Sequence, residues 1–193
     1  MAHAPPGVLA TPDESLVEQA RAGDHPAREE LFRRSREVAY RVAFRLLGHE
    51  QDALDAVQEA FLKAFRHLGD FDGRSGFRTW LLRIVHNAAL DVGRRRKRRP
   101  TQRLDDLGPD DDPARPDDPA RGLHRDDLRR QIQAALARLS PATRETFVLF
   151  AEAGLSYKEI AEAQGVPIGT VMSRLHYARQ KLQAYLGEML DAD

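Results

Sequence analysis

GLSYKEIAEAQGVPIGTVMSRLHYARQKL, residues Gly154 to Leu182, is the stretch that decides the fold. Ser156 followed three residues later by Glu159 is a capping box, the reciprocal hydrogen-bonding pair that starts a helix. Gly165 ends that short helix, and Val166-Pro167-Ile168-Gly169 makes a tight turn. A second helix follows from about Thr170 to Leu186. Short helix, turn and longer helix form a helix-turn-helix pattern, whose second helix belongs in a DNA major groove. Between Ala163 and Gly187 there is no Asp or Glu, whereas Arg174, Arg179 and Lys181 are present, so phosphates would meet no repulsion. Met172, Ser173, His176 and Tyr177 are candidates for contact with base edges or sugars, alongside Arg174, which can hold guanine bidentately. The same pattern also fits an ordinary helical hairpin with a solvated basic face.

Upstream of this motif, Ser140-Pro141 reads as an N-cap and first-turn proline for a helix carrying Phe147, Val148 and Phe150. Before it, Leu128, Ile132, Ala135, Leu136 and Leu139 share a helical register in a helix from about Leu123 to Leu139. Further back the composition changes sharply. Arg94 to Arg99 are six consecutive basic residues, and the stretch from Asp105 to Asp118 carries seven aspartates against one arginine. With Pro109, Pro113, Pro116 and Pro119 and little apolar matter, residues 101–122 cannot build a core and read as an acidic linker. The formal net charge of zero hides this segregation.

The first half is helical too. Phe77, Trp80, Leu81, Ile84, Val85, Ala88 and Val92 form one stripe of a long helix, with Arg78, Arg83 and Asn87 on its other face. Leu54, Val57, Phe61, Phe65 and Leu68 form the stripe of the preceding helix. Gly69, Asp70, Asp72, Gly73, Ser75 and Gly76 mark the loop between them. A short helix around Leu16 and Val17 and a long one from about Pro26 to Leu47, stopped by Gly48, complete a bundle. The expected fold is all-α, with two small helical domains at residues 14–100 and 123–187. A disordered start (1–13) and a short tail (188–193) flank them.

From Gly73 to Leu104 there are ten Lys or Arg and one acidic residue, Asp91. Phe71, Phe77 and Trp80 lie in or beside the glycine-rich loop. Aromatic faces next to cations are what single-stranded bases stack on, although aromatics at helical spacing also serve as core.

Other chemistries find no support. The chain has no cysteine, which excludes disulfides, thiolate metal sites and cysteine nucleophiles. Its seven histidines are scattered, and no glycine-rich phosphate loop follows a strand. No catalytic residue, metal or cofactor is expected, and Asp70 with Asp72 makes a poor metal site. The opening MAHAPPGVLATPDES has no basic-then-apolar leader, and no apolar run suffices for a membrane span. A cytoplasmic protein is expected.

Three stretches together carry a resemblance: DALDAVQEAFLKAFRHL (Asp52 to Leu68), GRSGFRTWLLRIVHNAALDVGRRR (Gly73 to Arg96) and Gly154 to Leu182. In order and spacing they resemble the signature segments of extracytoplasmic-function sigma factors of the sigma-70 family. These are bacterial initiation factors with two helical domains, sigma-2 and sigma-4, joined by a linker. The resemblance implies that core RNA polymerase, through its β′ clamp and β flap, and promoter DNA are partners, with an anti-sigma factor as a further one. It implies that Asp52, Asp55, Gln58, Glu59 and Phe61 belong to the helix that docks on the clamp, with Val57 and Phe61 packing largely inward. The loop from Phe71 through Asp72, Gly73, Arg74 and Ser75 to Phe77 matches the segment that captures a flipped base of the downstream (minus-10) element. Arg83 and Asn87 match the neighbouring reading helix. Thr170, Met172, Ser173, Arg174, His176, Tyr177, Arg179 and Lys181 fall on the recognition helix for the upstream (minus-35) element. The basic run, Arg94 and Arg95 included, is expected to contact phosphates without reading bases.

One departure from housekeeping sigma factors concerns the wedge that opens the duplex: Trp80 is followed by Leu81 rather than a second tryptophan. A single wedge aromatic implies dependence on a closely matched promoter, because extruding a base costs a few kcal/mol. Linker length agrees with the resemblance. Two major-groove sites two turns apart lie roughly 70 Å from each other, and the 22 residues from Thr101 to Gly122 extend to at most about 75 Å. The acidic linker is expected to thread basic channels of the polymerase. A stand-alone helix-turn-helix regulator of LuxR type and a helical protein-binding adaptor working through Asp52 to Phe61 are the competing readings.

Overall fold

Side-chain caps start four of the helices in the computed structural model, which describes residues 12–98 and 119–190. Helix α1 spans Pro12–Arg21, α2 His25–Leu47, α3 Glu50–Arg66 and α4 Phe77–Arg98. Helices α5 (Pro119–Ala137), α6 (Pro141–Ala151), α7 (Tyr157–Gln164) and α8 (Ile168–Leu190) follow. No strand occurs among the described residues. The Asp24 side chain accepts the Ala27 amide to cap α2, and Gly48 closes it with φ 69°, in the left-handed region, returning its N–H to the Phe44 carbonyl. His49 caps α3 by accepting the Asp52 amide. Ser140 caps α6. Both halves of the Ser156/Glu159 capping box at α7 are formed.

Glu159 is pulled two ways. Burial pushes its carboxyl up, but hydrogen bonds from the Ser156 hydroxyl and backbone, the Arg83 charge and a hydrogen bond from Thr79 outweigh this and hold it below the ordinary range. A depressed carboxyl adds stability above its ordinary pKa and loses it as pH falls through the folded value, so the cap weakens in acid. Ser156→Ala should cost about 0.5–2 kcal/mol in thermal unfolding.

Helices α1 to α4 form the first bundle. Helix α3 packs on α2 and α4 with Ala53, Ala56, Val57, Ala60, Phe61 and Ala64 buried. This corrects the stripe drawn through Leu54, which is 46% exposed. Four alanines let the neighbouring helices approach closely, so small residues rather than large ones mark the inner face. Between α3 and α4, residues Leu68–Asp70 form a 3-10 turn that the glycine-rich composition did not signal.

Helices α6 to α8 build the second unit around Val148, Leu149, Leu155, Ile160, Val171 and Leu175, each at most 1% exposed. Burying such a side chain fully contributes roughly 1.5–3 kcal/mol. Helix α5 also packs on α8.

Three boundaries differ from expectation. Helix α5 begins at Pro119, inside the segment read as linker, because proline at a first helical position forfeits no hydrogen bond. Helix α8 starts at Ile168 and continues through Gly187 to Leu190, past the expected stop, since a lone glycine only weakens a helix. Helix α1 takes in Pro12 and Asp13, within the stretch expected to be a disordered start. The rest of that start, the linker from Thr101 to Asp118 and residues 191–193 lie outside the described residues.

Candidate nucleic-acid and partner interface

Three surfaces collect the residues singled out in the sequence. On α3, Leu54, Asp55, Gln58, Glu59 and Leu62 are exposed along one face, as their spacing demands, while Asp52 is half-buried. Phe61 is 4% exposed, edge-on to Phe32 at 4.7 Å, so it shapes the face from behind. Leu54 and Leu62 lie on this surface too, against the expectation that large apolar residues turn inward. Their exposure, 46% and 57%, is the signal that they belong to the same face as the carboxylates.

Two of those carboxylates are held by the basic run. Arg95 reaches Glu59 at 2.7 Å and Arg96 reaches Asp52 at 2.7 Å. The Glu59 carboxylate, hydrogen-bonded to Arg95, raises the guanidinium pKa. Arg94 pairs with Asp91. The basic run is helical through Arg98, so its side chains radiate around α4.

The second surface is the loop before α4. Phe71 and Phe77 are 7% and 3% exposed and pack with Trp80 at 5.2 and 6.0 Å. Their rings are therefore anchors of the loop and offer no free face to a base. Arg21 supports the same corner, donating to the Leu68 carbonyl at 3.0 Å with its guanidinium over the Phe71 ring. Nothing in the sequence pattern linked α1 to this loop.

Between the anchors, Asp72, Gly73 and Arg74 are exposed and Ser75 is half-buried. Asp72 accepts the Arg74 amide at 3.1 Å and also pairs with its guanidinium. The backbone hydrogen bond from Arg74, then its side chain and charge, lower the Asp72 carboxyl despite some desolvation. Gly73 has φ 71°, a conformation that side-chain-bearing residues rarely adopt, and this lets the loop turn between the two. On α4 itself, Asn87 is exposed and Arg83 is half-buried, reaching Glu162 of α7 at 3.1 Å.

The third surface is α8. Met172, Ser173, His176, Tyr177, Arg179 and Lys181 are exposed, whereas Thr170 and Arg174 are half-buried. Arg174 donates to the Gln164 Oε1 at 3.2 Å, the same oxygen that Thr146 contacts at 2.8 Å. Arg179 lies over the Phe150 ring and Lys181 over the Tyr177 ring. Among the apolar and aromatic groups of this face, Met172 is 54% and Tyr177 47% exposed, joined by Ile168 at 50%, which lies outside the sequence candidates. Apolar tips at the start of such a helix suit a thymine methyl group.

Among the described residues no cluster of three or more His, Asp or Glu is arranged to hold a metal ion. No described helix is long and apolar enough to cross a membrane.

The described residues thus form a helical bundle with an exposed charged face on α3, and a helix-turn-helix unit whose second helix is exposed. Residues 31–99 match the Sigma-70 region 2 family and residues 129–182 the Sigma-70 region 4 family. The chain is 34% identical over 186 residues to the RNA polymerase sigma-H factor of Pseudomonas aeruginosa, covering 92% of this chain and 95% of that protein. It is 41% identical over 165 residues to the ECF sigma factor SigE of Mycolicibacterium smegmatis, covering 84% of this chain and 63% of that one. The structure of CnrH in complex with the cytosolic domain of CnrY superimposes with a TM-score of 0.66 at 31% identity, covering 94% of this chain and 98% of CnrH. Similarly, RpoE of Bartonella quintana, solved with the anti-sigma factor NepR, gives 0.66 at 27% identity, covering 82% and 96%. The chain belongs to the extracytoplasmic-function family of sigma-70 factors, alternative sigma factors that direct transcription initiation.

Proposed function

We propose that this chain docks core RNA polymerase through the exposed face of α3, reads and opens the minus-10 element with the Asp72 to Ser75 loop and α4, and reads the minus-35 element with α8. The observation that carries this reading is the pair of surfaces on separate units: the α3 face with Asp55, Gln58 and Glu59, and the outward tip of α8. Both family matches fall on the units bearing them. Phe71 and Phe77 hold the loop in shape, and its polar rim meets the base. Asp52 and Glu59 dock the clamp, and Arg94 and Arg95 contribute phosphate contacts. The chemistry of RNA synthesis stays with the polymerase, so the chain acts without a catalytic residue of its own and works in the cytoplasm.

Two relatives were solved with proteins that bind them, CnrY and NepR. A protein of that anti-sigma kind is proposed as a partner here as well.

The test is reconstitution with sigma-free core polymerase on promoter DNA. Asn87→Ala, a change at an exposed position, should leave core binding intact and reduce the yield of open promoter complex detected by permanganate reactivity of unpaired thymines. A normal yield would remove Asn87 from the reading surface.

A further inference from the structure

Behind the recognition helix, a single amide oxygen joins three helices of the second unit. Thr146 on α6 is 0% exposed, and its hydroxyl lies 2.8 Å from the Ala142 carbonyl and 2.8 Å from the Gln164 Oε1. Gln164 is the last residue of α7, and Gly165 turns the chain immediately after it with φ 64°. The same Oε1 accepts from the Arg174 Nη1 of α8 at 3.2 Å.

The other end of that amide has no counterpart. Gln164 Nε2 is one of five buried side-chain nitrogen or oxygen atoms without a hydrogen-bond partner among the described residues. Turning the amide over would bring Nε2 to the Thr146 hydroxyl, which can accept while donating to Ala142, but would set the amide NH2 against the Arg174 N–H, donor against donor. Arg174 is therefore the group that selects the observed orientation. An orphaned buried donor lowers stability, and a leucine of similar volume would leave none. The arrangement works against the fold of its own unit, and a local rule broken in this way marks a functional position. What the amide delivers is the orientation of Arg174.

Arg174 follows Thr170 by one turn, and both are half-buried on one flank of α8. The buried stripe of Val171, Leu175 and Ala178 lies to one side of that flank, and the exposed Ser173, His176 and Tyr177 lie to the other. A helix in the major groove turns the middle of its exposed face to base edges and its flanks to the phosphate walls. Among the described residues the guanidinium makes this one hydrogen bond, so its other N–H groups remain for an anion.

We propose that Gln164 is a positioning residue for upstream recognition. Its oxygen fixes Arg174 on the flank of α8 as a phosphate clamp that sets the register of the helix in the groove, and base reading falls to Met172, Ser173, His176 and Tyr177. This rests on the placement of α8 at the minus-35 element. An arginine held before the DNA arrives loses less rotamer freedom on binding, so the clamp acts through pre-organisation.

The test uses the full chain assembled with core polymerase, on a promoter first selected by transcription and protected by the parent at its upstream element. Failure of the sigma reading then shows as absent transcripts or absent protection before any variant is compared. Gln164→Leu should weaken promoter binding about three- to tenfold, by one common factor on the selected upstream element and on single-base substitutions of it. The logarithmic dependence of its affinity on salt should flatten by up to about one unit of slope. Its melting temperature should not fall, because the orphaned donor is gone. Arg174→Ala should show the same uniform loss, and adding Gln164→Leu to it should change nothing further. Unchanged binding or an unchanged salt slope in Gln164→Leu, a loss confined to one base pair, or a loss of equal size in the Arg174→Ala background would each overturn the proposal. The third of these would make Arg174 a base reader, and the last would leave Gln164 a merely structural residue.

Discussion

Leu175→Ala is expected to remove minus-35 recognition by destabilising the unit that presents it. Leu175 lies on the inner side of the recognition helix, 1% exposed, in a core shared with α6 and α7. Truncating a leucine in such a site costs roughly 2–5 kcal/mol, the lost transfer energy plus the cavity left behind. A unit this small holds only a few kcal/mol of net stability, so the loss is comparable with the whole. Neighbouring Met172 and His176 point outward and are untouched by the change, which separates loss of fold from loss of contact. Thermal unfolding followed by circular dichroism should show a lower-temperature transition for part of the helix signal. Protection of the upstream element in footprinting should vanish while docking on core polymerase through α3 persists. Retained stability with lost footprinting would mean that Leu175 touches DNA itself.

Asp55→Arg should produce the second large effect, on assembly rather than on folding. Asp55 is exposed on α3, accepts from Gln51 one turn away at 3.4 Å and adds its charge to that of Glu59 near Arg95. Reversing its charge therefore leaves the bundle intact. A charge placed against a like charge across an interface costs several kcal/mol, so affinity for core polymerase should drop at least about tenfold, with the helix content unchanged. Glu59→Arg is a weaker test, because it also discards the pair with Arg95 and brings two arginines together. Unaltered binding by Asp55→Arg in a fluorescence titration would take this face out of the docking surface.

These two sites differ in how far the sequence discloses them. The helix-turn-helix is legible because its signals are local: Ser156 and Glu159 cap, Gly165 closes with φ 64°, and Pro167 begins the turn into α8. Helix α3 is harder to orient. Reading large apolar residues as the inner face turns it toward Leu54, whereas alanines line the contact with α2 and α4. Binary patterning weights side-chain size, and a close helix crossing inverts that weight.

The candidate site follows the same division. Exposure of Asp55, Gln58 and Asn87 accords with their helical positions. Phe71 illustrates what local reading leaves open, since an aromatic beside a glycine-rich loop serves equally as stacking platform or anchor. Only the positions of Arg21, Phe77 and Trp80 around it decide for the anchor. The contact between α2 and the end of α6 is less legible still. Arg41 and Glu152 are 111 residues apart, and no period or spacing links them.

Transcription by core polymerase on a randomised promoter library, with this chain as the sole added factor, is the decisive measurement. Transcripts are expected whose templates share two short motifs about two helical turns apart, the upstream one blurred by substitutions on the outer face of α8. Absence of transcripts, together with tight binding to duplex DNA without polymerase, would contradict the sigma reading and favour a stand-alone regulator.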